Sequence, residues 1–304
     1  MIKDSKASVK PALLLDASIT IFQYYFSMPE NWFSDTDYPT AAVYGYTTFL
    51  IRLLERQQPK WFAACFDESL GTCFRNQIYS DYKVSRPPAD EALAFQLRGC
   101  REITELLEIP SFVSPLYEAD DLLGTLTRML RRNKTPIAIL TRDKDLGQLL
   151  RRKQDYLWDY SKDETVDRDG ILNKFGVHPE QMIDYLALVG DSIDDIPGVP
   201  GLGPKTAQAL LGHFDNIDHI FKRLHQVRDL PIRGASKLAD KLEQFRDQIA
   251  MARQLTTIVD NIDLGIGPGD LRWRADYIDI DSVREFCQRM GFPRLFSRIE
   301  SLVG

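Results

Sequence analysis

Short apolar runs, each closed by a carboxylate, recur through the first half of the chain. Pro11-Ala12-Leu13-Leu14-Leu15 ends on Asp16, and Trp61-Phe62-Ala63-Ala64-Cys65-Phe66 ends on Asp67. Ile137-Ala138-Ile139-Leu140 runs straight into Thr141-Arg142-Asp143-Lys144-Asp145, and Phe112-Val113-Ser114 is a shorter run of the same kind. Runs of this length and composition predict buried strands. Helical patterns lie between them, over residues 41–55 and again from Tyr117-Glu118-Ala119-Asp120-Asp121 onward. In the latter, Ala119, Leu123, Leu126 and Leu130 share one face. The stretch holding Tyr24, Tyr25, Trp32 and Phe33 shows no single period. Strands alternating with helices predict an α/β fold, with a central, mostly parallel sheet covered by helices on both faces.

The second half reads as helical. Helices are predicted over residues 179–189 and 204–213, and charged helix formers fill 234–253. Leu255-Thr256-Thr257-Ile258-Val259-Asp260 reads as a short strand or a helix end, and residues 282–303 as one closing amphipathic helix broken near Gly291-Phe292-Pro293.

In an open parallel sheet, ligands bind outside the carboxyl ends of the strands. Asp16, Asp67 and the Asp143/Asp145 pair all fall at such ends, beside the acidic start of the Glu118 helix. Taken alone, three carboxylates in a first helical turn are an ordinary response to free N–H groups and the helix dipole. Three strands ending the same way make a shared site the stronger reading. Like charges about 4 Å apart repel by about 4 kcal/mol at an effective dielectric near 20, so such a cluster needs neutralising. Oxygen ligands without nearby His or Cys select hard divalent cations, Mg²⁺ or Mn²⁺.

Two further stretches carry chemistry. Residues 74–88 interleave cations with aromatics before Pro87-Pro88. They are either a solvated connector or a strap offering Lys83 and Arg86 to phosphate and Tyr82 to a base. Gly190-Asp191-Ser192-Ile193-Asp194-Asp195-Ile196-Pro197-Gly198-Val199-Pro200-Gly201-Leu202-Gly203-Pro204-Lys205-Thr206-Ala207 joins two predicted helices. There Gly201 and Gly203 permit close backbone approach, Pro204 suits a first helical turn, and Lys205 completes an anion site for a DNA phosphate.

Composition narrows the class. The chain has 304 residues, 44% hydrophobic and 27% charged, as in ordinary globular proteins. Its polar first ten residues lack the apolar centre of a signal peptide, and no apolar run is long enough to cross a membrane, so a cytoplasmic protein is expected. The four cysteines form no CxxC pair, which argues against a zinc site or a disulfide framework. A net charge of −6 does not argue against a nucleic-acid partner, because a cation-binding site lowers it while basic patches persist elsewhere.

With LLLDAS, FDE, YKVSRPP, YEADD, TRDKD and GDSIDDIPGVPGLGPKTA in this order, the chain resembles the 5′ nuclease superfamily that includes flap endonucleases. It is most similar to the 5′-nuclease domain of bacterial DNA polymerase I and its free-standing relatives, and the resemblance spans nearly the whole chain. The chain ends where a polymerase would continue, so a stand-alone, monomeric exonuclease is expected.

The resemblance implies two metal groups. The first comprises Asp16, Asp67, Glu118 and Asp120 with Asp143 bridging or nearby; the second comprises Asp121, Asp145, Asp191 and Asp194. Lys83 and Arg86 would stand at the scissile phosphate together with Asp143. Arg75, Tyr82, Lys83 and Arg86 of a helical arch (about residues 68–112), and Gly201, Gly203, Lys205 and Thr206 of a helix–three-turn–helix (about 179–213), would touch DNA. Backbone carbonyls of Val199 and Leu202 would hold K⁺. A nuclease core over residues 1–175 and a helical DNA-binding region over 176–304 follow from the same comparison.

The expected reaction is hydrolysis near 5′ flaps or 5′ ends of duplex DNA in replication or repair, with RNA primers as further substrates. Arg142 departs from the pattern, standing where relatives often carry a small residue. The rival reading is a structure-specific DNA-binding protein with weak or lost catalysis, against which the full carboxylate set speaks.

Overall fold

Ala12, Leu13, Leu14 and Leu15 are all buried, although their side chains point alternately to opposite faces. Strand β1 (Ala12–Asp16) is therefore central, with apolar layers on both sides. The computed structural model describes residues 10–303 except Leu70 and Arg233. The polar first nine residues, which bear on the signal-peptide reading, lie outside the described residues.

Beside β1 run β2 (Phe62–Cys65), β3 (Ser111–Phe112), β4 (Ile137–Leu140), β5 (Tyr156–Asp159) and β6 (Glu164–Val166), in the order β3-β2-β1-β4-β5-β6. All neighbours are parallel except β5 and β6, which form an antiparallel edge. The chain builds outward from β1 to β3, then returns to place β4 on β1's other side. That reversal puts the crevice at the carboxyl ends of β1 and β4.

The helices are α1 (Ala17–Ser27), α2 (Ala41–Gln57), α3 (Phe74–Ile78), α4 (Glu91–Leu106), α5 (Ala119–Arg132), α6 (Arg168–Phe175) and α7 (Met182–Val189), followed by α8 (Pro204–Phe214), α9 (Ile217–Lys222), α10 (Ala235–Gln244), α11 (Arg246–Thr256), α12 (Ile280–Arg289) and α13 (Phe296–Val303). Ala12 and Leu14 join one core with α5, α7, α8, α10 and α11, while Leu13 and Leu15 join a second with α1, α2, α4 and α12. The closing segment is broken at Gly291 as expected, and it lies against α2 and α4, the helices of the first half. Leu255 and Thr256 end α11 and form no strand. Among the described residues no helix is long and apolar enough to cross a membrane.

Candidate active site

The carboxylates reach the crevice because each sits where an element begins or ends. Asp16 closes β1 and caps α1, accepting from the Ile19 N–H at 3.3 Å, while Thr141 Oγ1 donates to its other oxygen at 2.8 Å. Asp67 follows β2, and its carboxylate accepts from the Ala119 N–H at 2.7 Å, which ties it to the start of α5. Asp143 follows β4 and accepts from the Asp145 N–H at 2.8 Å. Glu118 and Asp120 stand at the N-terminus of α5. Together Asp16, Asp67, Glu118, Asp120 and Asp143 line a cavity of about 440 Å³, shared with Lys83, Arg86, Arg142, Lys144 and Lys174.

Crowding of like charge is legible in the acidities. Burial, then the Asp67 charge, pushes the Asp16 carboxyl up to about 7. Burial raises Asp120 well above the ordinary carboxylate range, with Asp143, Asp16 and Asp67 adding to it. Asp67 meets water at the rim yet is hemmed in by protein and is raised too, burial outweighing the nearby Lys83. Glu118 goes the other way. Burial would raise it, but Lys83 and Arg75 hold it below its usual value.

Lys144 links Asp191 with Asp145, whereas Asp194 stands on Lys83 and Arg86, beside Glu118. Lys144 Nζ bonds Asp191 and lies 3.4 Å from Asp145 Oδ1, while Arg86 reaches Asp194 at 2.5 Å and Lys83 bonds Glu118. Burial, then Asp143, brings Asp145 to about 7. Its buried Oδ1 has no hydrogen bond. Among the described residues no three of these groups form a ready-made cage, and Lys144 and Lys83 occupy Asp191 and Glu118. The donor set is nevertheless all oxygen, and Asp145 Oδ1 still lacks a bond, so the residues fit hard divalent cations.

Three expectations are corrected. Asp121 is fully buried and turned from the cavity; both its oxygens take Arg75 Nη1 and Nη2, at 2.7 and 2.8 Å, and it also accepts from the Glu118 and Val259 N–H groups. Being one helical step beyond Asp120, it points about 100° around α5, into the core instead of the crevice. Arg75 is 2% exposed and cannot meet DNA; its remaining donors hold the Leu255 and Thr257 carbonyls at the end of α11. Tyr82 is also buried, its hydroxyl donating to Glu118 at 2.8 Å, so its ring is no stacking platform.

Lys83 itself sits at φ 54°, a left-handed conformation that costs ~1–3 kcal/mol outside glycine. It is pinned there by its own N–H on the Asp194 carbonyl and by Asn76 on the Tyr82 carbonyl.

The turn between α7 and α8 also differs in detail. The glycines under closest pressure are Gly190 and Gly198, where an added Cβ would meet backbone at 2.4 and 2.1 Å. Gly201 has φ 72°, but Gly203 is extended with open space around it, so a tight turn does not explain that residue. Lys205 is exposed at the first turn of α8 and Thr206 half-buried beside it, while Val199 and Leu202 are buried. Arg142 is not among the residues with positive φ; its guanidinium pairs with Asp159 at 3.2 Å, so the departure strains nothing.

Sequence reading missed Lys144 and Thr141. Both lie inside the Thr141-Arg142-Asp143-Lys144-Asp145 motif, but strand-end geometry is needed to see Thr141 on Asp16 and Lys144 on Asp191.

Comparison with known proteins agrees with this architecture. Residues 11–176 match the family model described as 5′-3′ exonuclease, N-terminal resolvase-like domain, and residues 177–278 match 5′-3′ exonuclease, C-terminal SAM fold. DNA polymerase I of Pseudomonas aeruginosa is 37% identical over 260 residues, 85% of this chain but 28% of that protein. The chain spans less than a third of such polymerase relatives. The 5′-3′ exonuclease of Aquifex aeolicus is 28% identical and matches 97% of this chain and 96% of its own length. Among solved structures, T5 5′-exonuclease with bound zinc superposes with a TM-score of 0.64 at 17% identity over 96% of this chain and 99% of that one. The catalytic core of Rad2 in complex with DNA substrate gives 0.65 at 18% identity, covering 97% and 92%. On the two family models, the chain belongs to the 5′-3′ exonuclease family.

Proposed function

We propose that this chain is a divalent-metal-dependent, structure-specific 5′-3′ exonuclease and 5′-flap endonuclease. The observation that carries the reading is one cavity lined by five carboxylates from the ends of β1, β2 and β4 and the start of α5, with Lys83 and Arg86 on its wall. Family membership and the structural neighbours solved with zinc or with DNA substrate support it. In this reading Asp16, Asp67, Glu118, Asp120 and Asp143 hold one Mg²⁺ or Mn²⁺, and Asp145, Asp191 and Asp194 hold a second. Bound ions would supply the Lewis acidity for attack of water on a phosphodiester and for departure of the leaving oxygen.

The chain's own residues do the rest. Lys83 and Arg86, now on Glu118 and Asp194, face the cavity and transfer to the scissile phosphate, where they neutralise charge that grows in the transition state. Thr141 fixes the orientation of Asp16. Lys205, Thr206 and the turn at Gly201 contact duplex phosphates, and no base-reading element accompanies them among the described residues, so recognition is by shape. A nuclease core over residues 1–175, with its arch at about 68–112, and a DNA-binding region over 176–304 form the working division. The partner is DNA with a 5′ flap or a 5′ end beside duplex, with RNA primers handled the same way, by a cytoplasmic monomer in replication or repair. K⁺ at the turn has least support, because the Val199 carbonyl already accepts from the Leu202 N–H and Lys241 reaches Pro200.

End-labelled flap, nicked, blunt and single-stranded substrates test the reading. Short 5′-phosphorylated products from flap and nicked DNA are expected with Mg²⁺ or Mn²⁺, and none in EDTA or with Asp143→Asn. Turnover in EDTA would overturn it.

A further inference from the structure

The strap that carries Lys83 and Arg86 is a run of turns, and two of its N–H groups are held by the loop that bears Asp191 and Asp194. The Lys83 N–H donates to the Asp194 carbonyl at 3.1 Å, and the Ser85 N–H donates to Asp195 Oδ2 at 2.9 Å. The Arg86 N–H closes a turn on the Lys83 carbonyl at 3.1 Å. In a four-residue turn closed this way, the N–H of the third residue has no partner within the turn. Ser85 is therefore held from outside, by Asp195.

The receiving loop is itself framed. Asp191 and Ile196 exchange N–H···O bonds at 2.9 and 2.8 Å, and Asp191 Oδ1 accepts from the Ile193 N–H at 2.9 Å. Asp195 stands in that frame at φ 56°, a left-handed conformation that short polar residues adopt more readily than most. Of the three carboxylates in the loop, Asp191 and Asp194 are bonded by lysine or arginine side chains, whereas Asp195 is bonded by the backbone of the strap. It takes no part in lining the cavity.

We propose that Asp195 is the positioning residue of the strap: by pinning the Ser85 N–H it sets where the flanking Lys83 and Arg86 side chains meet the scissile phosphate. The pin is on the main chain, so it stays in place while Lys83 and Arg86 leave Glu118 and Asp194 for the phosphate. The inference rests on those two cations serving the phosphate, as argued under Proposed function. Losing one hydrogen bond to a charged acceptor corresponds to about tenfold, which is the fall in rate expected when the strap is unpinned.

The test compares the full chain with its Asp195→Asn and Asp195→Gly variants. Asparagine keeps an acceptor oxygen and tolerates φ 56°, whereas glycine keeps the backbone conformation without steric cost and removes the acceptor. Two quantities are measured: amide hydrogen exchange at Ser85 and its neighbours in EDTA, and the single-turnover rate on 5′-flap DNA over a Mg²⁺ series. Asp195→Gly should exchange the Ser85 amide about tenfold faster and cleave about tenfold more slowly at saturating Mg²⁺. Its Mg²⁺ concentration at half-maximal rate should not rise, because an unpinned strap competes less for Glu118 and Asp194. Asp195→Asn should stay close to the unsubstituted chain in both measurements. An undiminished rate in Asp195→Gly, slow cleavage without faster exchange, or an asparagine variant as slow as the glycine one overturns the proposal. A raised Mg²⁺ requirement with the full rate recovered in excess Mg²⁺ also overturns it, because Asp195 would then support only the loop of Asp191 and Asp194. An unsubstituted chain that cleaves no flap DNA with Mg²⁺ instead refutes the reading of the cavity beneath it.

Discussion

Arg75→Met tests whether the base of the strap belongs to the core or to DNA. Arg75 makes charged contacts to Asp121 at 2.7 and 2.8 Å and to Glu118 at 3.0 Å, and holds the Leu255 and Thr257 carbonyls at 2.8 and 2.9 Å. Methionine keeps the volume but leaves Asp121, wholly buried, with two backbone N–H donors and no countercharge. Breaking a buried pair from one side costs about 3–5 kcal/mol, because the remaining charge stays desolvated. With a urea dependence near 3 kcal/mol per molar, the unfolding midpoint should fall by roughly 1–2 M. Urea titration followed by circular dichroism reads the midpoint, and flap-DNA affinity is measured in parallel in the cold, where the variant stays folded. Arg75→Met/Asp121→Leu should regain most of the loss, since both charges leave together. An unmoved midpoint with a large fall in affinity would refute the burial argument and return Arg75 to the DNA surface.

Three further outcomes are expected. Lys83→Ala should lower the single-turnover rate far more than flap affinity, because charge on the phosphate grows in the transition state; equal losses in rapid-quench and binding measurements contradict this. In metal-free protein Asp16 and Asp145 keep protons to about pH 7 against an ordinary 3.8, so the native state binds more protons than the unfolded chain in that window. Its stability should be fully present below about pH 4 and fall as pH rises towards 7, by up to about 4 kcal/mol for each group. Urea midpoints in EDTA should therefore be higher at pH 5 than at pH 8, with Mg²⁺ raising them most at pH 8, and a midpoint that climbs with pH in EDTA would exclude the crowding argument. Lys205→Ala should weaken binding of duplex-containing DNA and flatten the salt dependence by about one unit, and an unchanged slope in titrations at several salt concentrations removes Lys205 from the grip.

Periodicity alone determined much of this protein. β1, β2 and β4 are legible because both their faces are buried, which leaves a continuous apolar run, and α2 and α5 because one apolar stripe repeats along each. The carboxylates at their ends are legible for the same reason, since a strand that stops at a crevice exchanges apolar for charged residues there. Other elements are not written this way. α1 carries Phe22 and Phe26 on its exposed side, which blurs its helical stripe, and β5 and β6 form a short antiparallel edge with mixed burial.

Only the tertiary structure decided which charges meet. Asp120 and Asp121 are adjacent and chemically alike, yet one lines the cavity and the other is locked on Arg75, because the helix turns by about 100° per residue. Lys83 and Asp194, or Lys241 and Pro200, are brought together by packing of distant segments, which local propensity does not encode. Sequence carries the period and the chemistry of each segment, whereas the direction of each side chain depends on what the neighbouring helix or turn leaves open.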